Sequence, residues 1–406
     1  MRSHGCSASA TTDGCRWRYS TSRKTRRRCC VTRRGSSTAL KRSLEKGISL
    51  EREMNISASR RVLVMSRGVR VFLVVMLVSA VAVVSLFAAG AREAAPDAEW
   101  SPSRTITIIV PWGAGGASDQ TARVLASEME GILGTRIAIV NQPGASGSTG
   151  QKSAFDARKD GYTWAGNADA SVATYQVLDY TPEISHRDWQ AYFAIFTPCV
   201  IAVNPDSPIT DWDSLIEAFE TRSVDVASAG IGAGGHIAAE AFAGNLGLSY
   251  NHIPYGGGNP AVVATVAGET EVVMQLSMEV ADMLRADQLR AIAVLDNRPL
   301  QISGVDEIPA VTDFAADMPS VGFHFGLFIP KDIPPEAAQT ISAAFETASQ
   351  SEAVRRLAEE RGSVAVSVQG SEADQVMEQA ASMFGWLLYD SGVADNSPEQ
   401  FDIPRP

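Results

Sequence analysis

Cysteine is almost absent from the working part of this chain. Beyond residue 91 only Cys199 remains, so no internal disulfide can form there. Histidine is nearly as scarce. His186, His236, His252 and His324 are scattered, and with one Cys they do not make a Cys/His metal cluster. Positive charge is also short: from residue 92 onward 17 Lys and Arg stand against 42 Asp and Glu, a net charge of −25. That balance excludes a nucleic-acid partner and docking on an anionic membrane. It also means that net charge cannot draw in a small anion, which needs a local site. There is no G-x-S-x-G nucleophile elbow, no internal repeat and, past the N-terminus, no low-complexity run.

What is present begins with an unusual leader. Residues 1–53 hold 14 Lys and Arg and four of the five cysteines (Cys6, Cys15, Cys29, Cys30), without helical or strand periodicity. Such a segment reads either as a basic arm or as an extension outside the mature protein, with translation starting at Met54 or Met65. The second reading fits the pattern of residues 54–91. Arg60, Arg61, Arg67 and Arg70 precede an apolar run, Val71 to Leu86, and Ala89-Gly90-Ala91 is a small-x-small cleavage site. The expectation is a signal peptide over 54–91, cut after Ala91, and a periplasmic location. An uncleaved anchor is the alternative, because Val71 to Ala89 approaches membrane-spanning length.

From residue 92 the pattern alternates. Strands are expected at 105–110, 136–140 and 162–166, with an amphipathic helix over 118–133 that places Ala122, Leu125, Met129 and Leu133 on one face. A second set starts near Val200. It has helix 211–219, with Asp211 as N-cap, strand 224–229, helix 236–246, strand 250–254, helix 259–267 and strands 270–276 and 289–295. A turn-rich stretch, 297–320, leads to strand 325–329, helices 335–349, 351–361 and 372–390, and a loose tail after Gly392. The repeated β-α order implies an α/β fold with parallel sheets covered by helices. A chain of this length commonly splits in two. The expected domains are 92–200 plus 325–406, and 201–324.

Three turns are rich in glycine: PWGAGGASD (111–119), NQPGASGSTG (141–150) and AGIGAGGH (229–236). Glycine lets the backbone approach a ligand, and a following helix adds unpaired N–H groups and a positive dipole end. Gly230, Gly232 and Gly235 also match the dinucleotide pattern G-x-G-x-x-G. That fingerprint needs an acidic residue about 20 positions on. No Asp or Glu lies between Glu240 and Glu269, and no Arg for a 2′-phosphate. The NAD reading fails, and no cofactor is expected. Cys199 sits in an apolar run without an acid or base nearby in sequence, so an enzyme is not expected either.

With these turns in hand the chain resembles the substrate-binding proteins of tripartite tricarboxylate transporters, the Bug/TctC family. The resemblance runs from about Arg104 to Tyr389. It rests on ITIIVPWGAGGASDQTARVLASEM, NQPGASGSTG, DARKDGYTW, Val224 to Glu240, IPYGGGNPAVVATVAGE, RAIAV and GLFIPKDIP, in that order and spacing. It implies a two-domain periplasmic-binding-protein type II clamshell, monomeric, that holds a small organic carboxylate between its domains and serves membrane transporter subunits. One carboxylate would be held mainly by backbone N–H groups of the first and last of the three turns. By position this puts ligand contacts at Trp112, Gly113, Ala114, Gly115, Gly116 and Asp119. Asn167, Asp169 and Ser171 follow strand 162–166. Ser228, Gly230, Gly232, Gly234, Gly235 and His236 form the last turn, and Tyr255 and Gly256 lie beside it.

Several of these carry two readings. Asp119 either binds the amides of its own helix or faces the cleft, where it would favour hydroxyl- or ammonium-bearing ligands. His236 either donates to ligand or bonds the loop backbone. Trp112 is expected as an apolar wall, and Tyr255 either packs or touches ligand. The chain departs from the family pattern at Ala233 and Gly235, often Ser, at Gly256, often Lys, and at His324-Phe325-Gly326, often Trp-Tyr-Gly. Transport and ligand sensing for a membrane signalling partner are not separable from the sequence.

Overall fold

The computed structural model describes residues 100–406. The expected basic extension, signal peptide and cleavage point lie outside the described residues. The chain starts with β1 (Ile106–Val110), which lies between β2 (Ile137–Asn141) and β3 (Thr163–Ala168) and runs parallel to both. Ile106, Ile108 and Val110 are fully buried. The connecting helix α1 (Ala117–Leu133) buries Ala122, Leu125, Ala126, Met129 and Leu133, a three-four spacing that makes one apolar stripe. It stops at Gly134, whose left-handed φ of 63° lets its N–H reach Glu130 O. Two short helices, α2 (Ser148–Asp156) and α3 (Asp169–Thr174), follow β2 and β3.

The strand that organises the rest is β4 (Trp189–Val203), fifteen residues long. Its first ten residues, Trp189 to Pro198, pair antiparallel with β9 (Gly322–Pro330). Its last five, Cys199 to Val203, pair with β7 (Val272–Leu276), and most of these also meet β8 (Arg290–Val294). Pro198 stands where one partner gives way to the next, a place where a missing N–H costs the ladder least. The sheet order is β2-β1-β3-β9-β4-β7-β5-β6, with β8 and β10 (Val364–Gln369) also on β4. Here β5 (Asp225–Ser228) runs parallel to β6 (Asn251–Pro254) and to β7.

The sheet is therefore mixed, not parallel as the β-α order implied. Each half is parallel at its edge, but β9 and β4 return antiparallel through the middle. Residues 189–198, β10, α2 and α3 are not among the sequence expectations, nor is α7 (Ser277–Arg285) between β7 and β8. The remaining helices match more closely: α4 (Trp212–Thr221), α5 (Gly234–Leu246), α6 (Gly258–Val266), α8 (Pro335–Ser349), α9 (Glu352–Glu360) and α10 (Gly370–Asp390). Asp211 caps α4, accepting the Ser214 amide at 2.9 Å. The tail is not loose. Ile403 is buried, Trp386 Nε1 donates to Pro404 O at 2.9 Å, and Arg187 binds Glu378 through Nε and Nη2 while reaching the Phe401 and Asp402 carbonyls. α10 packs on α3, β4 and α5, so it spans both halves of the sheet.

Candidate functional site

The loops after β1, β3 and β5 and the turn before α6 meet around one cavity of about 50 Å³. Its wall is built from first turns of helices: Ala117 and Ser118 of α1, Ala170 and Ser171 of α3, Gly234 of α5, Gly258 and Asn259 of α6. Amides in a first turn have no partner within their own helix, and each helix brings the positive end of its dipole. An anion at such an end gains about 0.3–1 kcal/mol per helix when exposed and about 2 kcal/mol when partly buried. Phe323 and Phe325 supply an apolar floor. No Lys, Arg or His lines this cavity, and its one charged residue is Glu279, so any pull on an anion there comes from fixed dipoles and not from cations.

Of the sequence-expected residues, Trp112, Gly113, Ala114, Gly116, Ser171 and Gly234 line the cavity. The others lie behind its wall. Gly115 turns at φ 84° and gives its N–H to Asp119 Oδ2 at 2.8 Å. The Asp119 carboxylate also takes Arg123 Nε at 2.8 Å, Arg123 Nη2 at 2.9 Å and Asn141 Nδ2 at 2.9 Å. Burial alone would raise its pKa, but these donors together hold it below the ordinary value. Asp119 therefore does not bind the amides of its own helix, whose start has no side-chain cap bond; it braces the loop before that helix through the Gly115 amide. Asn167 Oδ1 accepts Trp112 Nε1 at 2.8 Å and so fixes the indole against the cavity, while its Nδ2 donates to Gln151 and Tyr175. Asp169 accepts its neighbour's amide and pairs with His324 Nδ1 at 2.9 Å.

On the other side, Ser228 Oγ meets His252 Nε2 at 2.7 Å and the Gly230 amide at 3.2 Å. His236 Nδ1 accepts the Gly232 amide at 3.0 Å, and its ring stacks on His252 at 3.8 Å between centroids. His236 thus bonds the loop backbone, the second of its two readings. Burial, then the neighbouring His236, push His252 down to about 4. Ser228 and His252 are at nucleophile-base distance, but Ser228 is fully buried and outside the cavity. Burial also pushes the Cys199 thiol up, which leaves it unreactive. Gly230, at φ 144°, abuts Ser146 of the 141–150 turn, and Gly232, at φ 73°, abuts Leu178. Gly235 packs on β7, and Tyr255 and Gly256 flank the cavity without lining it. Among the described residues no cluster of His, Cys, Asp and Glu could hold a metal.

Sequence reasoning missed the polar lining residues Ser118, Asn259, Gln275 and Glu279 and the floor residues Phe323 and Phe325. One signal was available: in β7, Val272–Leu276, every residue is buried, and Gln275 is its one polar member. A glutamine there, with an acid four residues on, marks a polar device.

A family model described as "Tripartite tricarboxylate transporter family receptor" matches residues 121–389. The chain belongs to this family. Protein BugT of Bordetella pertussis is 30% identical over 281 residues, covering 67% of this chain and 85% of BugT. The structure of the periplasmic binding protein BugD superposes with a TM-score of 0.67 at 20% identity, covering 72% of this chain and 99% of BugD. MatC from Rhodopseudomonas palustris with bound malate gives a TM-score of 0.66 at 21% identity, covering 71% of this chain and 99% of MatC. The fold is that of the two-domain clamshell binding proteins. The receptor's mixed sheet follows from it: β4 pairs with β9 in one half and with β7 and β8 in the other. No helix of the described residues is long and apolar enough to cross a membrane.

Proposed function

We infer that this receptor is a periplasmic solute-binding protein, not an enzyme, that captures a small organic carboxylate and delivers it as a monomer to a tripartite tricarboxylate-type membrane transporter. The carrying observation is the cavity on which the first turns of α1, α5 and α6 converge without any cation on its wall. Such a wall suits an anion that can be released again, because backbone dipoles hold it without a buried ion pair. The malate in MatC supports the same class of ligand. We place the domain boundaries at 92–200 with 325–406, and 201–324, so that the handover on β4 near Pro198 is the crossover. The cavity is open to solvent on one side, and its volume of about 50 Å³ is a third of the ~150 Å³ apolar cavity known to admit benzene. A ligand larger than this space needs the halves to part, and the proposed motion is a hinge about β4, where its partners change.

A thermal-shift screen of the purified protein against mono-, di- and tricarboxylates, aromatic acids and acidic amino acids tests this. A ligand at 100 times its Kd should stabilise the fold by about 2.7 kcal/mol. No shift with any carboxylate, together with a shift by NAD or a sugar, would overturn the reading. Pull-down of two membrane subunits by the loaded receptor, and not by the empty one, tests the transporter.

A further inference from the structure

Glu279, on the first turn of α7, is the one charged residue on the cavity wall among the described residues. Its carboxylate is built in. Oε1 accepts the Ala117 amide at 2.9 Å, and Oε2 accepts Gln275 Nε2 at 2.5 Å. Two glycines make room for it. A Cβ on Gly116 would lie 2.9 Å from Oε1, and one on Gly258 would overlap Oε2. A carboxylate offers about four acceptor positions, and two are filled. Gln275 is 1% exposed, and its amide orientation is set by the bond to Glu279. That leaves Gln275 Oε1 buried without a hydrogen-bond partner. Burial raises the pKa of Glu279 above its ordinary value, because the ionised form has too few partners there.

The wall thus carries two opposite needs. Among the described residues the first-turn amides of Ser118 and Gly234 have no backbone acceptor. Glu279 keeps two acceptor positions unfilled, Gln275 Oε1 has no donor, and among the described residues Glu279 has no counter-charge. A second carboxylate on the ligand would face Glu279 with no cation to separate them, and like charges repel strongly at low dielectric. An ammonium group brings three donors and the missing positive charge. A hydroxyl brings a donor without the charge.

We propose that Glu279, supported by Gln275, is a specificity-determining residue that makes this receptor select monocarboxylates bearing an ammonium group over dicarboxylates of the same length. This rests on the cavity being a carboxylate site.

The test is titration calorimetry on the full chain with carbon-matched sets. In four- and six-carbon chains, and in a phenyl-substituted set, the amino acid, hydroxy acid, plain monocarboxylate and dicarboxylate are compared. In at least one set the wild type should bind the amino acid tenfold or more tighter than the dicarboxylate, with the hydroxy acid between. Glu279→Gln keeps the shape and an acceptor for Ala117. It should cut that ratio tenfold or more, chiefly by weakening the amino acid. The wild-type ranking stands whether or not the variant folds. If the wild type binds dicarboxylates as tightly as amino acids in every set, or if folded Glu279→Gln leaves the ratio unchanged, the assignment to Glu279 is wrong and the carboxylate site remains. If no carboxylate of any kind binds, the reading of the cavity falls and takes this assignment with it.

Discussion

Glu279 Oε1 accepts the Ala117 amide at 2.9 Å, which ties the first turn of α7 to the first turn of α1 across the cavity. An acid that follows β7 thereby occupies a donor of the loop that follows β1. The glycines at 116 and 258 are what let it lie there.

Gly258→Ala tests that dependence. The added Cβ would overlap the Glu279 carboxylate, which must leave its place. Overpacking of this kind costs about 1–3 kcal/mol. Glu279→Ala in the same background should recover part of the loss. Chemical denaturation of the two single variants and the double variant measures the coupling, and additive effects would show that the two residues do not share the space.

Gly232→Val should weaken ligand binding tenfold or more while the fold survives. The residue sits at φ 73°, where a β-branched side chain is strained, and its Cβ would run into Leu178. The loop 229–236 would then be held away from the turn after α3 that carries Leu178. Calorimetry gives the affinity, and circular dichroism checks the fold. Unchanged affinity would remove this loop from the site.

Asp119→Asn should lower stability, not change ligand preference. The wild-type carboxylate holds Gly115, Arg123 and Asn141, and losing charge-assisted bonds of this kind costs about 1–3 kcal/mol. Its folded pKa lies below its unfolded value. The stabilisation is therefore full above the unfolded carboxylate range and fades as pH falls through the folded pKa. Melting curves of wild type and variant should diverge at neutral pH and converge under acid.

His252 predicts a second acid limb. Its folded pKa is about 4, below the unfolded value near 6.5. Between these values the unfolded chain binds the extra proton, so stability drops as pH falls through that window. The loss is about 1–3 kcal/mol from this one ring. His252→Gln should flatten the 6.5-to-4 segment of the stability profile relative to wild type.

Much of the fold was legible because its signals are local. The three-four stripe of α1, the Asp211 cap and the glycine-to-helix turns each depend on neighbours in sequence, and the structure has them. The direction of β4 and β9 was not legible. An apolar run such as Trp189 to Val203 reads alike in either orientation, and only pairing with a strand more than a hundred residues away decides. The glycine loops fell on the cavity in part, since Gly113, Gly116 and Gly234 line it while Gly115, Gly232 and Gly235 shape the backbone behind. One reading of Asp119 made it the acidic partner for a donor-bearing ligand. The structure engages Asp119 with Arg123 and puts a carboxylate on the wall from Glu279, far along the chain, a placement that no spacing rule encodes.

A crystal structure of the receptor with the tightest ligand from the calorimetric panel shows directly whether the cavity holds a carboxylate. The expected result is a ligand carboxylate within hydrogen-bond distance of the first-turn amides of α1 and α5, at Ser118 and Gly234, with no Lys or Arg beside it. A carboxylate held by a cation elsewhere on the molecule, or a ligand without a carboxylate in this cavity, would contradict it.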